Sequence, residues 1–426
     1  MIKTFSTVAE KYFCDDEIFK IVDKAVIPYL DGKKRILLIP PDITRFYAKA
    51  GLIAGYLFDK LSKSAVVDIM PALGSHLPMT DEEHEKLFGR KIPKEHILFH
   101  DWRKDTESIG CVPAEYVKKV SEGKMHEDIE ILVNKHIIDG CYDFILSLGQ
   151  VVPHEVVGLA NYSKNIFVGL GGAPMINATH YLSAIFGMER IMGRDKTPVR
   201  LVFDYAENAL RQTGVTIHYL LTVVSRYQGK NEVKGIFFGS ERDAFEEAAA
   251  LSQQENIDFV DKPFQKAVVY LEPEEFRSTW VGNKAVYRTR MAIADGGELI
   301  ILAPGVRTLG EDNTIDVLLN KYGYTSTKTT LEQMNLPDSE DLRNNRSVVA
   351  HIIHGVSDGR FTIKYAFKEL DSERRKNSRL NLIDYDETIK KYDPSKLKEG
   401  YNIVDGEEIY YISNPALGLW ADRSKF

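Results

Sequence analysis

The chain has 426 residues, 44% of them apolar and 27% charged, which is ordinary for a soluble globular protein and excludes disordered, collagen-like and small disulfide-rich classes. Lys and Arg number 55 against 62 Asp and Glu, a net charge of -7, so bulk electrostatics argue against a nucleic-acid partner. Cys14, Cys111 and Cys141 are far apart and form no CxxC pair, which removes thiol-redox and cysteine-rich zinc motifs.

In chain order, the opening stretch mixes charges where a secretory signal needs a continuous apolar run, so a cytoplasmic location is expected. Short apolar runs then end in turn residues followed by polar ones. Arg35–Ile39 runs into Pro40-Pro41-Asp42-Ile43-Thr44-Arg45, Ala65–Met70 into Ala72-Leu73-Gly74-Ser75-His76, Ile97–Phe99 into His100-Asp101, and Phe144–Leu148 into Gly149 through His154. Stretches between them, such as Asp81–Phe88 and Ala114–Val120, have helical character, and T-x-x-E at Thr80 and Glu83 reads as a capping box. Strands alternating with helices predict an α/β fold with mainly parallel sheets, whose ligands bind beyond the carboxyl ends of the strands. Further on, Arg200–Phe203, Tyr219–Val224, Lys234–Phe238 and Ala267–Leu271 read as strands and Glu241–Gln254 as a helix. A relaxed pattern near Asn256–Lys266 suggests two α/β domains, 1–270 and 271–426. The second repeats the alternation: helix Trp280–Ala294, strand Glu298–Leu302, helix Thr314–Lys321, strands Ser347–Ile353 and Thr362–Phe367, and a charged surface stretch Ser372–Arg379. His351 and His354, read on a strand, would point to opposite faces and are taken as structural.

The charge is unevenly spread. From Phe144 to Met188 only Glu155 and Lys164 are charged in 45 positions, where the average predicts about twelve. Length alone would permit a membrane span, but Asn165, Asn177, Thr179 and His180, with breaks at Gly171, Gly172 and Pro174, read instead as buried loop and strand in a core. Lys164 has no charged neighbour within eight positions on either side. Burial would depress its pKa and leave a nucleophilic amine, whereas a head that snorkels to the surface would leave it ordinary. His154 lies ten positions before it and His180 sixteen after, and imidazole serves equally as acid/base or as a nickel or zinc ligand. His76, in a Gly-Ser-His-Leu-Pro stretch, is a further candidate, and Arg45 at a strand end is able to grip a carboxylate in bidentate fashion. Asp42 would hold a hydroxyl group or simply close an Asx-type turn. Neither GxGxxG nor a P-loop motif occurs.

Taken together, PPDITR, ALGSHLPMTDEE with the later HDW, and the His154–Lys164–His180 spacing resemble the nickel-dependent lactate racemase family. The resemblance is discontinuous and runs over most of the chain. It implies two α/β domains with an active-site cleft between them. Lys164 would be joined through a thioamide to a pyridinium-3,5-bisthiocarboxylic acid mononucleotide that holds nickel in a sulfur–carbon–sulfur pincer, with His180 as the remaining nickel ligand. His76 and His154 would be the acid/base pair, Asp42 would lie against the cofactor, and Arg45 and Lys284 would face the substrate carboxylate. The reaction implied is racemisation or C2 epimerisation of a 2-hydroxy acid through a 2-keto acid, with a hydride leaving and returning at C2. The cofactor is needed because no side chain offers an electrophilic organic centre for that hydride. The implied partners are the small-molecule substrate and the cofactor's biosynthesis proteins, with no nucleic acid and no membrane. Two departures matter: Asn161-Tyr162-Ser163 stand where the lactate enzymes carry glycines, and Trp280-Val281 where they carry Tyr-Gln. They imply a substrate other than lactate, of the sugar-acid (aldonate) type. Two other readings stay open: a zinc-dependent hydrolase or lyase using His76, His154 and His180, and a non-catalytic paralogue that binds hydroxy acids.

Overall fold

Residues 3–74, 78–228, 230–416 and 418–426 are described by a computed structural model. The chain divides into two compact units, 1–182 with 192–256, and 183–191 with 257–426.

The first unit is built on a six-stranded sheet of β1 (Phe5–Phe13), β2 (Arg35–Ile39), β3 (Val66–Ile69), β4 (Phe144–Gln150), β5 (Ile217–Tyr227) and β6 (Lys230–Gly239), in the order β1-β6-β5-β4-β2-β3. The pairs β5/β4, β4/β2 and β2/β3 are parallel, while β1/β6 and β6/β5 are antiparallel. Ile36, Leu37, Leu38 and Ile39 are all fully buried. A central parallel strand is covered on both faces, which is why β2 is a continuous apolar run without alternation. One face packs on helices α1 (Asp15–Ala25) and α2 (Ala50–Leu61), where Ile18, Val22, Ile53 and Leu57 meet Ile36, Leu38, Leu146 and Leu148. Helix α3 (Asp81–Phe88), capped by Thr80 and Glu83 as the capping box predicts, lies close against α2. That approach depends on Gly51 and Gly55: a Cβ would come within 2.4 Å of the Leu87 side chain at Gly51 and 2.3 Å of the Phe88 carbonyl at Gly55.

The segment 144–188 is largely buried, strand and loop as far as residue 162 and mostly helical after it. After β4 come a short hairpin of Pro153–His154 with Gly158–Leu159, then α4 (Ser163–Phe167) and α5 (Ala173–Phe186). The loop-and-strand expectation therefore fails beyond residue 162. Among the described residues no helix is long and apolar enough to cross a membrane. Arg200–Phe203 is likewise not a strand. It lies in α6 (Pro198–Gln212), which Thr197 caps through its hydroxyl and Pro198 opens. Val199, Val202, Phe203, Ala206 and Leu210 form its buried stripe, a helical period in which β-branched residues are tolerated because burial outweighs propensity. Helix α7 (Arg242–Asn256) completes this unit.

The second unit carries β7 (Phe264–Tyr270), β8 (Ile293–Ala303), β9 (Thr362–Phe367), β10 (Asn381–Leu382), β11 (Gly400–Val404) and β12 (Glu407–Ile412), ordered β10-β9-β8-β7-β12-β11. Every pair is parallel except β11/β12. The single helix expected over Trp280–Ala294 is instead two one-turn helices, Thr279–Gly282 and Lys284–Tyr287, and β8 already begins at Ile293. Helix α8 (Asn313–Tyr322) follows the expected Thr314–Lys321 pattern. The Ser347–Ile353 stretch is not a strand but part of α9 (Arg346–His354), so His351 and His354 share a helix face rather than pointing apart. Residues 183–191 attach to this unit through Glu189, which accepts from Arg290 Nε at 2.8 Å.

Candidate active site

The parallel strands β2, β3 and β4 end on one edge of the first sheet, and their following loops continue side by side. Ala72 N donates to the Pro40 carbonyl at 2.8 Å, and Gly74 N to the Gly169 carbonyl at 2.8 Å. The loop after β2 carries Asp42 and Arg45, and the loop after β4 carries His154, Glu155 and Lys164. The loop after β3 leads to His76, which lies outside the described residues. The topology thus delivers Asp42, Arg45, His154 and Lys164 to the strand edge where a ligand is expected.

Asp42 is buried and caps the 43–48 turn, its Oδ1 accepting from Thr44 N at 3.0 Å. Arg45 sits inside that turn, partly buried, and makes no ion pair among the described residues. Both charges reach Lys164, the second residue of α4. Burial pushes the lysine pKa down to about 8, the Arg45 cation pushes in the same direction, and the Glu155 and Asp42 carboxylates oppose them. At neutral pH this is an ammonium that gives up its proton far more readily than an ordinary lysine.

His180 lies on α5 with Nδ1 2.6 Å from the Ile176 carbonyl. A carbonyl only accepts, so Nδ1 carries the proton and the Nε2 lone pair is left for a ligand. Burial, and then the Lys164 cation, hold the ring pKa down to about 4, against the opposing pull of the Ile176 bond and Glu155. The ring is therefore neutral at pH 7. A neutral imidazole whose second nitrogen donates to a backbone carbonyl is the usual form of a metal-ligating histidine. At His154, Nδ1 accepts from Val156 N at 3.1 Å and lies 3.6 Å from Glu155 Oε2. The neutral ring therefore holds its proton on Nε2. Among the described residues no three His, Cys, Asp or Glu side chains gather as a metal-binding cluster.

Three residues of this site were not read from the sequence as functional. Glu155 stands out in the sequence only for its charge, yet it opposes the depression of both Lys164 and His180. Asn165 ties α4 to the strand ends, its Nδ2 donating to the Ile39 carbonyl at 3.2 Å and to Ser147 Oγ at 2.9 Å. Replacing it by Ala leaves both acceptors buried without this donor. Asn165→Ala should cost about 1–3 kcal/mol of stability and lower the melting temperature by a few degrees, measurable by calorimetry. Arg200 is fully buried against the turn preceding Lys164. Its signal in the sequence is an arginine within an apolar stripe, hidden because the stretch 200–203 has the local composition of a strand. His100 is structural: it is buried, takes a hydrogen bond from Asn134 Nδ2 at 2.9 Å and donates through Nε2 to the Gly171 carbonyl at 3.1 Å.

Lys284 belongs to the second unit, where it opens the 284–287 turn with its ammonium 5.8 Å from the Phe276 ring centre. Asn283 just before it is fixed by a buried network. Its amide lies 3.2 Å from His351 Nε2, Tyr365 OH donates to its Oδ1, and Tyr324 OH lies 2.8 Å from the same His351 nitrogen. Trp280 stacks on His351 with ring centres 4.2 Å apart.

Residues 19–191 match the family model of the lactate racemase N-terminal domain. This region belongs to the lactate racemase family. No curated protein matches the chain by sequence. Among solved structures, a Thermotoga maritima protein is 21% identical, covers 97% of this chain and 99% of its own, and superposes with a TM-score of 0.82. The lactate racemase apoprotein from Thermoanaerobacterium thermosaccharolyticum is 19% identical, covers 92% and 88% respectively, and gives a TM-score of 0.67. At these identities the two structures establish a shared fold. The lactate racemase-like region includes Asp42, Arg45, His154, Lys164 and His180.

Proposed function

We propose that the protein is a 2-hydroxy-acid racemase or C2 epimerase that uses a lysine-tethered nickel-pincer nucleotide. The carrying observation is the pairing of a lysine whose pKa is held near 8 with a histidine locked neutral and presenting Nε2. These residues fit the group. A thioamide link needs the lysine as a free amine, and a nickel ligand needs an unprotonated ring nitrogen. Lys164 would hold the nucleotide and His180 the metal, with Asp42 beside them. When bound, the group supplies an electrophilic carbon able to take and return a hydride at the substrate C2.

The chain's own part is binding and proton transfer. Arg45 suits the substrate carboxylate because its guanidinium has no competing ion pair among the described residues, and Lys284 is proposed as a second cation for the same carboxylate. His154 holds or accepts the hydroxyl proton at Nε2, and His76 is proposed to do the same from the opposite side of the substrate. Trp280-Val281, in place of an amide-bearing pair, supports a substrate other than lactate, and an aldonate-type sugar acid is the proposed class.

The test is intact-mass and metal analysis of protein made in its natural source or with the cofactor-making proteins, followed by a panel of C2-deuterated 2-hydroxy acids. Nickel, an adduct on Lys164, and a stereoinverted product that keeps its deuterium are expected. Zinc with an unmodified chain would support the hydrolase or lyase reading. Fully loaded protein that inverts no member of the panel would overturn the proposal.

A further inference from the structure

We propose that Arg200 is a positioning residue for Lys164, holding in one conformation the turn that leads into it. The inference rests on the cofactor-lysine reading above and extends it to a residue outside the matched domain.

Arg200 has no exposed surface, and no carboxylate lies within ion-pair distance of it among the described residues. A buried guanidinium without an ion pair is costly unless other dipoles replace water. Here the replacements at the two Nη atoms all come from the turn before Lys164, while the buried Nε has no partner among the described residues. Nη2 donates to the Leu159 carbonyl at 2.6 Å, both Nη atoms donate to the Asn161 carbonyl at 3.3 Å, and Nη1 donates to Ser163 Oγ at 2.9 Å. The guanidinium is seated 4.4 Å from the centre of the Phe245 ring. Its backbone is anchored in turn, since Arg200 N donates to Thr197 Oγ1 at 3.1 Å and that hydroxyl donates to the Val157 carbonyl at 3.0 Å.

The gripped turn has an unusual backbone. Asn161 and Tyr162 have φ of 64° and 58°, two consecutive non-glycine residues in the left-handed half of the map. Asparagine tolerates this, but tyrosine rarely does, and such a pair relaxes unless its surroundings hold it. The Tyr162 ring is packed between Tyr219 and Phe245, with centres 4.3 and 5.0 Å away. Ring packing fixes the side chain, while the arginine fork fixes the Leu159 and Asn161 carbonyls before it and the Ser163 hydroxyl after it. One guanidinium spanning Leu159, Asn161 and Ser163 sets the path of the chain into Lys164, and a compact ammonium cannot span the same acceptors. The Arg200 cation also contributes, after burial, Arg45 and Glu155, to the balance that sets the Lys164 proton affinity.

The experiment compares the full-length natural chain with Arg200→Lys and Arg200→Met by two readouts. The first is acetylation of Lys164 by acetic anhydride across pH, followed by peptide mapping with the other lysines as internal references. The second is the yield of Lys164 adduct when each chain is made with the cofactor-making proteins. The natural chain should show a Lys164 acetylation midpoint near pH 8, with both variants moving toward the ordinary lysine range and losing roughly tenfold in adduct yield. Arg200→Lys keeps the charge and loses the fork, so its behaving like Arg200→Met assigns the effect to the fork. Variants that melt like the natural chain and match it in both readouts overturn the proposal. Should both fail to fold, Ser163→Ala decides, because it removes one acceptor alone. A smaller shift in the same direction supports the fork, and no shift overturns it. Absence of any adduct on the natural chain would instead count against the cofactor reading, while the acetylation profile still tests Arg200.

Discussion

Protein carrying Lys164→Met is expected to lose all turnover and yet to be more stable than the natural chain at pH 7. The Lys164 pKa is lowered from 10.5 to about 8, first by burial and then by Arg45. Below pH 8 the folded chain keeps an ammonium in a site that disfavours it, whereas the unfolded chain solvates the same ammonium freely. The difference corresponds to at most about 3 kcal/mol, less what the remaining water around the amine recovers. Between pH 8 and 10.5 the folded lysine is already neutral while the unfolded one still binds its proton, so the penalty shrinks as pH rises through that window. Above it neither state is charged and the penalty is gone. Methionine fills similar volume without a charge, so its advantage should be fully present at pH 6–7 and nearly absent by pH 10.5. Urea unfolding at both pH values measures the gap. A natural chain at least as stable as Lys164→Met at pH 7, or a gap that widens with pH, contradicts this account. A lysine retained at such a cost is understandable if its amine reacts, which connects the stability measurement to the adduct analysis.

The features that could be read from sequence were those governed by continuous burial or by charge. The apolar runs 35–39 and 144–148 are central parallel strands whose flanking turns carry polar residues, and the missing charge between 144 and 188 marks the segment that holds Lys164 and His180. Two of the failures lie where an apolar run is enclosed on a helix. Arg200–Phe203 and Ser347–Ile353 have the local composition of strands, and only tertiary burial of their helical stripes decides otherwise. The first hid Arg200, because most of its hydrogen bonds go to the carbonyl groups of residues 159 and 161, about forty positions away, and carbonyls leave no trace in side-chain pattern. The second hid the contact of His351 with Asn283, which exists only because α9 packs beside the turn carrying Lys284. Asp42 shows a third kind of ambiguity. The Asx-turn expected as its plain role is present, and its charge still reaches Lys164.

Substituting His154 by Gln should lower kcat by about 10²–10⁴-fold with little change in KM, the range lost when a positioned general acid/base is removed. The role follows from the hydrogen bonding of the ring. Nδ1 is occupied by the Val156 N–H, so the neutral ring carries its proton on Nε2 and any exchange with a substrate hydroxyl takes place there. Nδ1 also lies 3.6 Å from Glu155 Oε2, which puts a carboxylate beside the ring. Glutamine can still donate one hydrogen bond but cannot change protonation state, so binding should survive where proton transfer does not. Glu155→Gln should act more mildly, because it removes the carboxylate beside Nδ1 and leaves the exchangeable proton on Nε2. Steady-state kinetics in both directions, at several pH values and on fully loaded protein, separate the two variants. A His154→Gln enzyme that keeps its kcat would remove the histidine from the proton-transfer step and leave that work to the loop following β3.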